Sequence, residues 1–516
     1  MTDDEGRDVT PKSAKARGLL AILALSKDFR RSRMWLRGKL WSTSGQAQGS
    51  DSLRQSLTEI RKAFGSHAPA LIADRRSVAL ASQLVEIAKP TGSKAEAAEM
   101  CSDLDVTDPE FQNWLASARA AMTQSVAASP ALIDGHRANV PAVVVFSVAH
   151  EVPNDVQWVY QSLRENIAVL LREGGEIEVV TEAEPVETRL GANRNYFFVV
   201  IDVNSVAGQA VVSTRLERGT DGHTLWNSGQ VWLPNDGSDE SVWSLHKLSF
   251  VTHERTASAI SDAEGEKVDP NNAYALAIRG RNRLFEFSRD SLIDADRLLS
   301  AAYQIEPRGS FLAWRHFVRN TATFEHLSDD FLEPINRVDL IEQAVMDSSN
   351  NSFVLSVASQ DAFVRKNDLS LAQALVGDAI EQNSVNPLGL AFQSNIHILA
   401  GELDKSIEVA TRAQALVKNE PYRGFWSMFL CMSHMAKGDY ETAAFHANMS
   451  HYLMPRMVAA QRFLYALNEA MGRESQALTV FRKIRKREPD FSKQHLFRSD
   501  YPVGTMRRTG IMELLS

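Results

Sequence analysis

The sequence predicts a multidomain chain of α plus α/β class: a small helix-turn-helix domain, a small α/β domain and an α-helical solenoid. Three observations carry this. A helix pair and a concentration of basic charge lie near the start of the chain. Alternating strand and helix patterns fill the middle. In the last half, Pro387, Pro421, Pro455 and Pro489 stand 34 residues apart, three times running. A chain of 516 residues is too long for one hydrophobic core, so several domains are expected.

The helix pair occupies residues 26–62. A short helix ends on Leu40-Trp41, a ten-residue polar loop follows, and a second helix begins near Asp51. Leu53, Leu57, Ile60 and Phe64 recur at steps of four, three and four, which places them on one helical face. The opposite face holds Asp51, Gln55, Thr58 and Lys62, with Arg54 and Arg61 on one flank and Ser52 and Glu59 on the other. This suits a recognition helix, because Gln can bond adenine edges while Arg and Lys can bond guanine edges or phosphates. Ser52, Arg54, Gln55, Thr58, Glu59, Arg61 and Lys62 are therefore candidate DNA contacts. Arg31 and Arg33 join them from the basic stretch upstream; a solvated helix start is the other reading of Arg30, Arg31 and Arg33.

Leu71-Ile72-Ala73 and Val78-Ala79-Leu80 flank Asp74 to Ser77 and predict a hairpin. Arg75 and Arg76 at its tip are placed to enter a minor groove or hold phosphates. A solvated basic turn is the alternative. Between residues 12 and 80 there are 14 Lys plus Arg and 4 Asp plus Glu, a net of +10, whereas the whole chain is −8. Basic charge confined to one small domain is the footprint of a polyanion binder.

Three blocks, Gly18 to Leu25, Ser32 to Trp41 and Ser52 to Arg61, also carry a resemblance. In that order they are similar to the winged-helix domain of antibiotic-regulatory-protein-type (SARP) transcription activators, relatives of the OmpR-type winged helix. That family reads Ala-Leu-Leu-Ala-Leu-Leu-Ala-Leu, Ser-Arg-x-x-Leu-x-x-x-Leu-Trp and Ser-Leu-Arg-Gln-x-Leu-x-x-Leu-Arg. The resemblance implies a winged helix over residues 13–85 that binds promoter DNA, activates transcription and helps recruit RNA polymerase. One departure stands out. Relatives usually open with a small antiparallel sheet, and here only a dozen polar residues precede the first helix, which leaves it less supported.

Residues 93–130 form a helical connector. Asp108 and Pro109 give an N-cap followed by proline at the first helical position, with Phe111, Trp114 and Leu115 on one face. Asp-Pro-x-Phe-x-x-Trp-Leu resembles a segment that follows the winged helix in relatives. These residues fit either docking of the DNA-binding domain onto the rest or plain core packing. Residues 138–262 read as strand (140–147), helix (Val156 to Leu170), strand (176–180), hairpin around 204–208, and a further strand from Gly222-His-Thr-Leu-Trp226 toward Trp232. That order resembles the TolB-like domain of bacterial regulators and cyclases. No glycine lies between Ala149 and Asp155, so a P-loop nucleotide site is not expected.

Residues 268–516 follow the tetratricopeptide period of 34 residues. Gly438 and Gly472 repeat it in a second register, while Gly401 comes three residues early. Pro270 and Pro307 begin looser copies, and Leu327 to Pro334 reads as an insertion. Such repeats stack into a curved solenoid whose concave face is expected to hold a protein or peptide partner. Met512 and its neighbours are expected to close the last groove as a capping helix.

No catalytic constellation is visible. The 13 histidines are dispersed, and neither His-Glu-x-x-His nor Gly-x-Ser-x-Gly occurs. No cofactor or metal is expected. Cys101 and Cys431, the two cysteines, are far apart, which fits a reducing cytoplasm. No apolar run approaches the ~20 residues that span a bilayer, and the acidic amino terminus does not read as a signal peptide. The combined reading is a cytoplasmic bacterial transcription regulator, with the central domain coupling the two ends or mediating assembly, a homodimer included. Two rivals remain open: an interaction scaffold with a degenerate winged helix, and an orphan relative of class III nucleotide cyclases lacking the catalytic domain.

Overall fold

The computed structural model describes the chain other than residues 3–4, 27–28, 45, 74–76, 82–83, 86–100, 102–103, 113, 117, 120–142, 176, 182–195, 264–271, 328–329, 333–334 and 336. It is α-rich with two small sheets and divides into two compact units, Met1–Asn139 and Val140–Ser516.

The first unit runs α1 (Ala14–Ala24), β1 (Arg30–Ser32), α2 (Arg33–Leu40), α3 (Gln46–Phe64), β2 (Leu71–Ala73) and β3 (Ser77–Leu80). The strands pair antiparallel in the order β1-β3-β2. Ser13 caps α1 by accepting from the Ala16 amide at 3.2 Å. Leu19, Leu20, Ile22 and Leu23 of α1 pack into one core with Leu36, Leu40, Leu53, Leu57 and Ile60. Two expectations change. Helix α3 starts at Gln46 and not near Asp51, so the ten-residue loop is shorter than expected; Gln and Ala are good helix formers and extend the helix by about a turn. Arg30 and Arg31 do not open a helix. They form β1, where Arg31 lies opposite Val78.

Described residues of the connector fold back on this same unit. Phe111, Trp114, Leu115 and Val106 are buried. A Cβ on Gly18 of α1 would stand 3.0 Å from both Phe111 and Val106, so a larger residue there would force these side chains to shift. Asp108 accepts from the Ser42 amide at 2.8 Å and its hydroxyl at 2.7 Å, and Lys39 pairs with Glu110 at 2.7 Å. Of the two readings of this segment, core packing against the helix pair is the observed one.

The second unit opens with β4 (Val143–Val148), α4 (Gln157–Gly174), β5 (Glu178–Thr181), β6 (Tyr196–Val206), β7 (Gln209–Arg218), β8 (Thr224–Asn227), β9 (Val231–Pro234) and α5 (Asp239–Asp262). The sheet order is β5-β4-β6-β7-β8, with β9 also on β7. β4 is parallel to β5 and β6; the other pairs are antiparallel. The hairpin turn is tighter than expected: Ala207 and Gly208 alone join β6 to β7, both at positive φ (50° and 77°), as a two-residue turn requires. The Thr-Leu-Trp run is itself β8, and Val231–Pro234 is a separate strand, so one expected strand is two.

Six consecutive helical hairpins follow among the described residues. They are α6 (Ala273–Leu284) with α7 (Arg289–Ile305), α8 (Gly309–Phe324) with α9 (Arg337–Asp347), α10 (Ser352–Val364) with α11 (Leu369–Gln382), α12 (Pro387–Leu399) with α13 (Leu403–Leu416), α14 (Arg423–Lys437) with α15 (Tyr440–Leu453), and α16 (Val458–Ala470) with α17 (Glu474–Arg485). Of the repeating prolines, Pro387 opens α12, Pro421 and Pro455 precede α14 and α16, and Pro489 follows α17. Gly438 and Gly472 take the left-handed conformation between paired helices (φ 81° and 69°).

The concave face is not open. Along α10 every residue from Ser352 to Ala362 is buried, whereas its outer partner α11 buries Ala372, Val376 and Ala379. Inner helices meet across the axis: Phe285 of the first hairpin stacks on Tyr422 at the fifth (4.8 Å), and Phe317 meets Phe425 (6.0 Å). Inner helices buried on nearly every side close on one another, because an inner groove lined with phenyl and indole rings is more stable out of water. Along these contacts the inner face is occupied by the array's own side chains. The tail runs across the inner helices as well. α18 (Gly504–Arg507) packs against α14, and α19 (Ile511–Leu515) against α16. Ile511 and Leu515 are the buried anchors, while Met512 is half-buried. Arg508 lies over Phe363 (5.3 Å) and donates to Asn367 (3.2 Å), so the tail reaches the third hairpin as well as closing the last.

Candidate nucleic-acid interface

Helix α3 presents two chemically distinct faces. Leu53, Leu57, Ile60 and Phe64 are buried against α1 and α2. Asp51, Arg54, Gln55, Thr58, Arg61 and Lys62 are exposed and recur at steps of three, one, three, three and one. At 1.5 Å per residue they form a stripe roughly 16 Å long. A helix of this width fits the B-form major groove, about 12 Å across.

Within the stripe, Arg54 donates to Asp51 at 2.7 Å, an exposed pair one helical turn apart. This contributes little stability and is easily exchanged for a phosphate. Thr58 donates its hydroxyl proton to the Arg54 carbonyl at 3.0 Å, leaving its oxygen lone pairs free to accept. The structure thus brings Arg54, Gln55, Thr58, Arg61 and Lys62 together on one solvated face, with Ser52 half-buried at its flank.

Glu59 is a correction. Its carboxylate turns back to α1, accepting from the Ser13 amide and hydroxyl, both at 2.7 Å. Burial works against its charge, yet these hydrogen bonds and Lys12 hold its carboxyl below the ordinary value. Glu59 is a structural clamp on the start of α1. Its partner lies 46 residues away, and no local pattern in α3 announces it. Arg31 and Arg33 are half-buried, on β1 and the first residue of α2. Arg75 and Arg76 lie outside the described residues; the strands that flank them, β2 and β3, pair as the hairpin reading required.

Among the described residues no three His, Cys, Asp or Glu side chains gather as a metal site, and no helix is long and apolar enough to cross a membrane. A scan against protein-family models and a search of curated proteins return no match.

Proposed function

We propose that the chain is a DNA-binding transcription regulator whose first unit is a winged helix with α3 as its recognition helix. The observation that carries this reading is the solvated Arg54-Gln55-Thr58-Arg61-Lys62 stripe on a domain of net charge +10 within a chain of net charge −8. Gln55 and Thr58 supply base-edge hydrogen bonds, and the cations supply phosphate contacts. The stated resemblance to antibiotic-regulatory-protein-type activators favours activation through RNA polymerase in a bacterial cytoplasm. The α/β domain and the hairpin array form the other, acidic part; its closed interior directs any protein partner to the outer helices.

The test is binding of the full chain to duplex DNA, followed by fluorescence anisotropy as salt is raised. With about six phosphate contacts, affinity should fall about 10³-fold between about 50 and about 200 mM salt. Absence of binding at low salt by the folded protein would sink the regulator reading and leave the scaffold one.

A further inference from the structure

We propose that a cavity between the α/β domain and the inner helices of the array binds a small organic ammonium ion. The cavity has a volume of about 110 Å³ and lies where α4 and α5 meet α6, α8, α10, α12 and α14. Phe250, Phe285, Trp314, Phe353 and Trp426 line it, with Glu173, His253, Glu254 and Arg281. A dry apolar cavity of about 150 Å³ takes benzene, so this one suits a ligand of about five non-hydrogen atoms.

The charge inventory selects the sign. Glu254 is matched: Arg281 donates to both its oxygens at 2.8 and 2.9 Å, and the Tyr422 hydroxyl adds a bond at 2.6 Å. That pair sums to zero. Glu173 is held differently. It accepts from the Ser352 amide (2.8 Å), the Ser352 hydroxyl (2.9 Å) and the Asn383 amide group (2.7 Å). All three donors are neutral, and no Lys or Arg pairs with Glu173 among the described residues. Burial pushes its pKa up, while these neutral donors and His253, which also lines the cavity, pull it back down. A carboxylate paired with neither Lys nor Arg and set among aromatic side chains is an environment that can hold a desolvated organic cation, since a ring face adds to the carboxylate's attraction. Stacked pairs hold the walls rigid: Trp314 lies on Phe353 at 4.2 Å and Phe285 on Tyr422 at 4.8 Å.

The test uses the full chain without DNA, so its outcome is separate from that of the proposed function. Tetramethylammonium chloride is titrated by calorimetry and thermal shift, with sodium chloride matching ionic strength and tert-butanol as a neutral probe of the same heavy-atom count. The ammonium ion should bind at least about tenfold more tightly than tert-butanol. Glu173→Gln, which keeps an acceptor for Ser352, should remove that preference. Ala277→Leu, which fills the cavity, should abolish binding of both, and it serves as the second variant should E173Q fail to fold. Equal binding of the two probes, a preference that survives E173Q or binding that survives A277L would overturn the proposal. So would no binding of either probe to the native protein, which would leave a cavity holding solvent only.

Discussion

At the scale of single residues, neighbours on α3 carry opposite tasks. Gln55 is solvated and has a free amide; Glu59, one turn on, is spent on Ser13. Gln55→Ala should therefore leave folding intact and relax base preference by about 1–3 kcal/mol, read as lost discrimination between cognate and mutated duplexes. Glu59→Ala should do the reverse. It should destabilise the first unit by about 1–2 kcal/mol through lost charge-assisted bonds, with base preference unchanged in the folded fraction. The pH dependence follows from the lowered carboxyl. Its stabilisation is complete above the ordinary value of 4.5 and is lost as pH falls through the lower folded value. An acid titration of fragment 1–139 monitored by circular dichroism should show E59A losing this step. The fragment must extend past the connector, because Phe111 and Val106 complete the core around Gly18. A base-preference change in E59A would return Glu59 to the interface.

At the scale of elements, what was legible was local. The stripe of α3, the β2–β3 hairpin and the period of the last three hairpins each rest on spacings within about 34 residues. What escaped depends on distant or atypical contacts. β1 is three residues, two of them arginine, and forms because β3 offers a free edge. Helix α5 is hard to read from the sequence because part of its buried stripe is hydroxylic. Ser249, Thr252 and Thr256 satisfy themselves on carbonyls one turn back, so an apolar count runs low. The closure of the array also places Glu325, after α8, at the start of α16. It accepts from the Val458 amide at 2.6 Å and the Ala459 amide at 3.3 Å. Burial pushes its pKa up to about 7, against the pull of Arg462 and these amides. The folded chain then holds a proton that the unfolded chain has released. Stability should fall as pH rises from about 4.5 to about 7, and level off above. Glu325→Gln keeps an acceptor without a titrating proton, so its urea midpoint should lack this decline between those values. An unchanged slope would place the proton elsewhere.

At the scale of the whole molecule, the tail decides whether the closed array is a finished fold. Leu496, Tyr501, Val503, Met506, Ile511 and Leu515 are buried, and all belong to the segment after Pro489. Burying one such side chain contributes about 1.5–3 kcal/mol, so together they outweigh the net stability of many domains before the entropy of ordering the tail is subtracted. Polar ties anchor the same segment: Tyr501 donates to Glu488 and packs on Arg462, itself wholly buried and paired with Glu488. Deleting residues 490–516 would uncover the inner faces of α14 and α16 and loosen the Arg462 pairing. The truncated chain should lose several kcal/mol of stability in the second unit and self-associate, seen as a lowered melting temperature and a larger species by light scattering. The first unit is a separate compact body, so fragment 1–139 and the truncated chain, when folded, should show the same salt-dependent affinity for DNA. Stacked repeats require a cap for solubility, and here that cap reaches the third hairpin through Arg508. Arg508→Ala alone should then reproduce a fraction of the loss by freeing the tail from Phe363 and Asn367. A truncated protein that stays monomeric with an unchanged melting temperature would show that the aromatic interior holds the array closed without its tail.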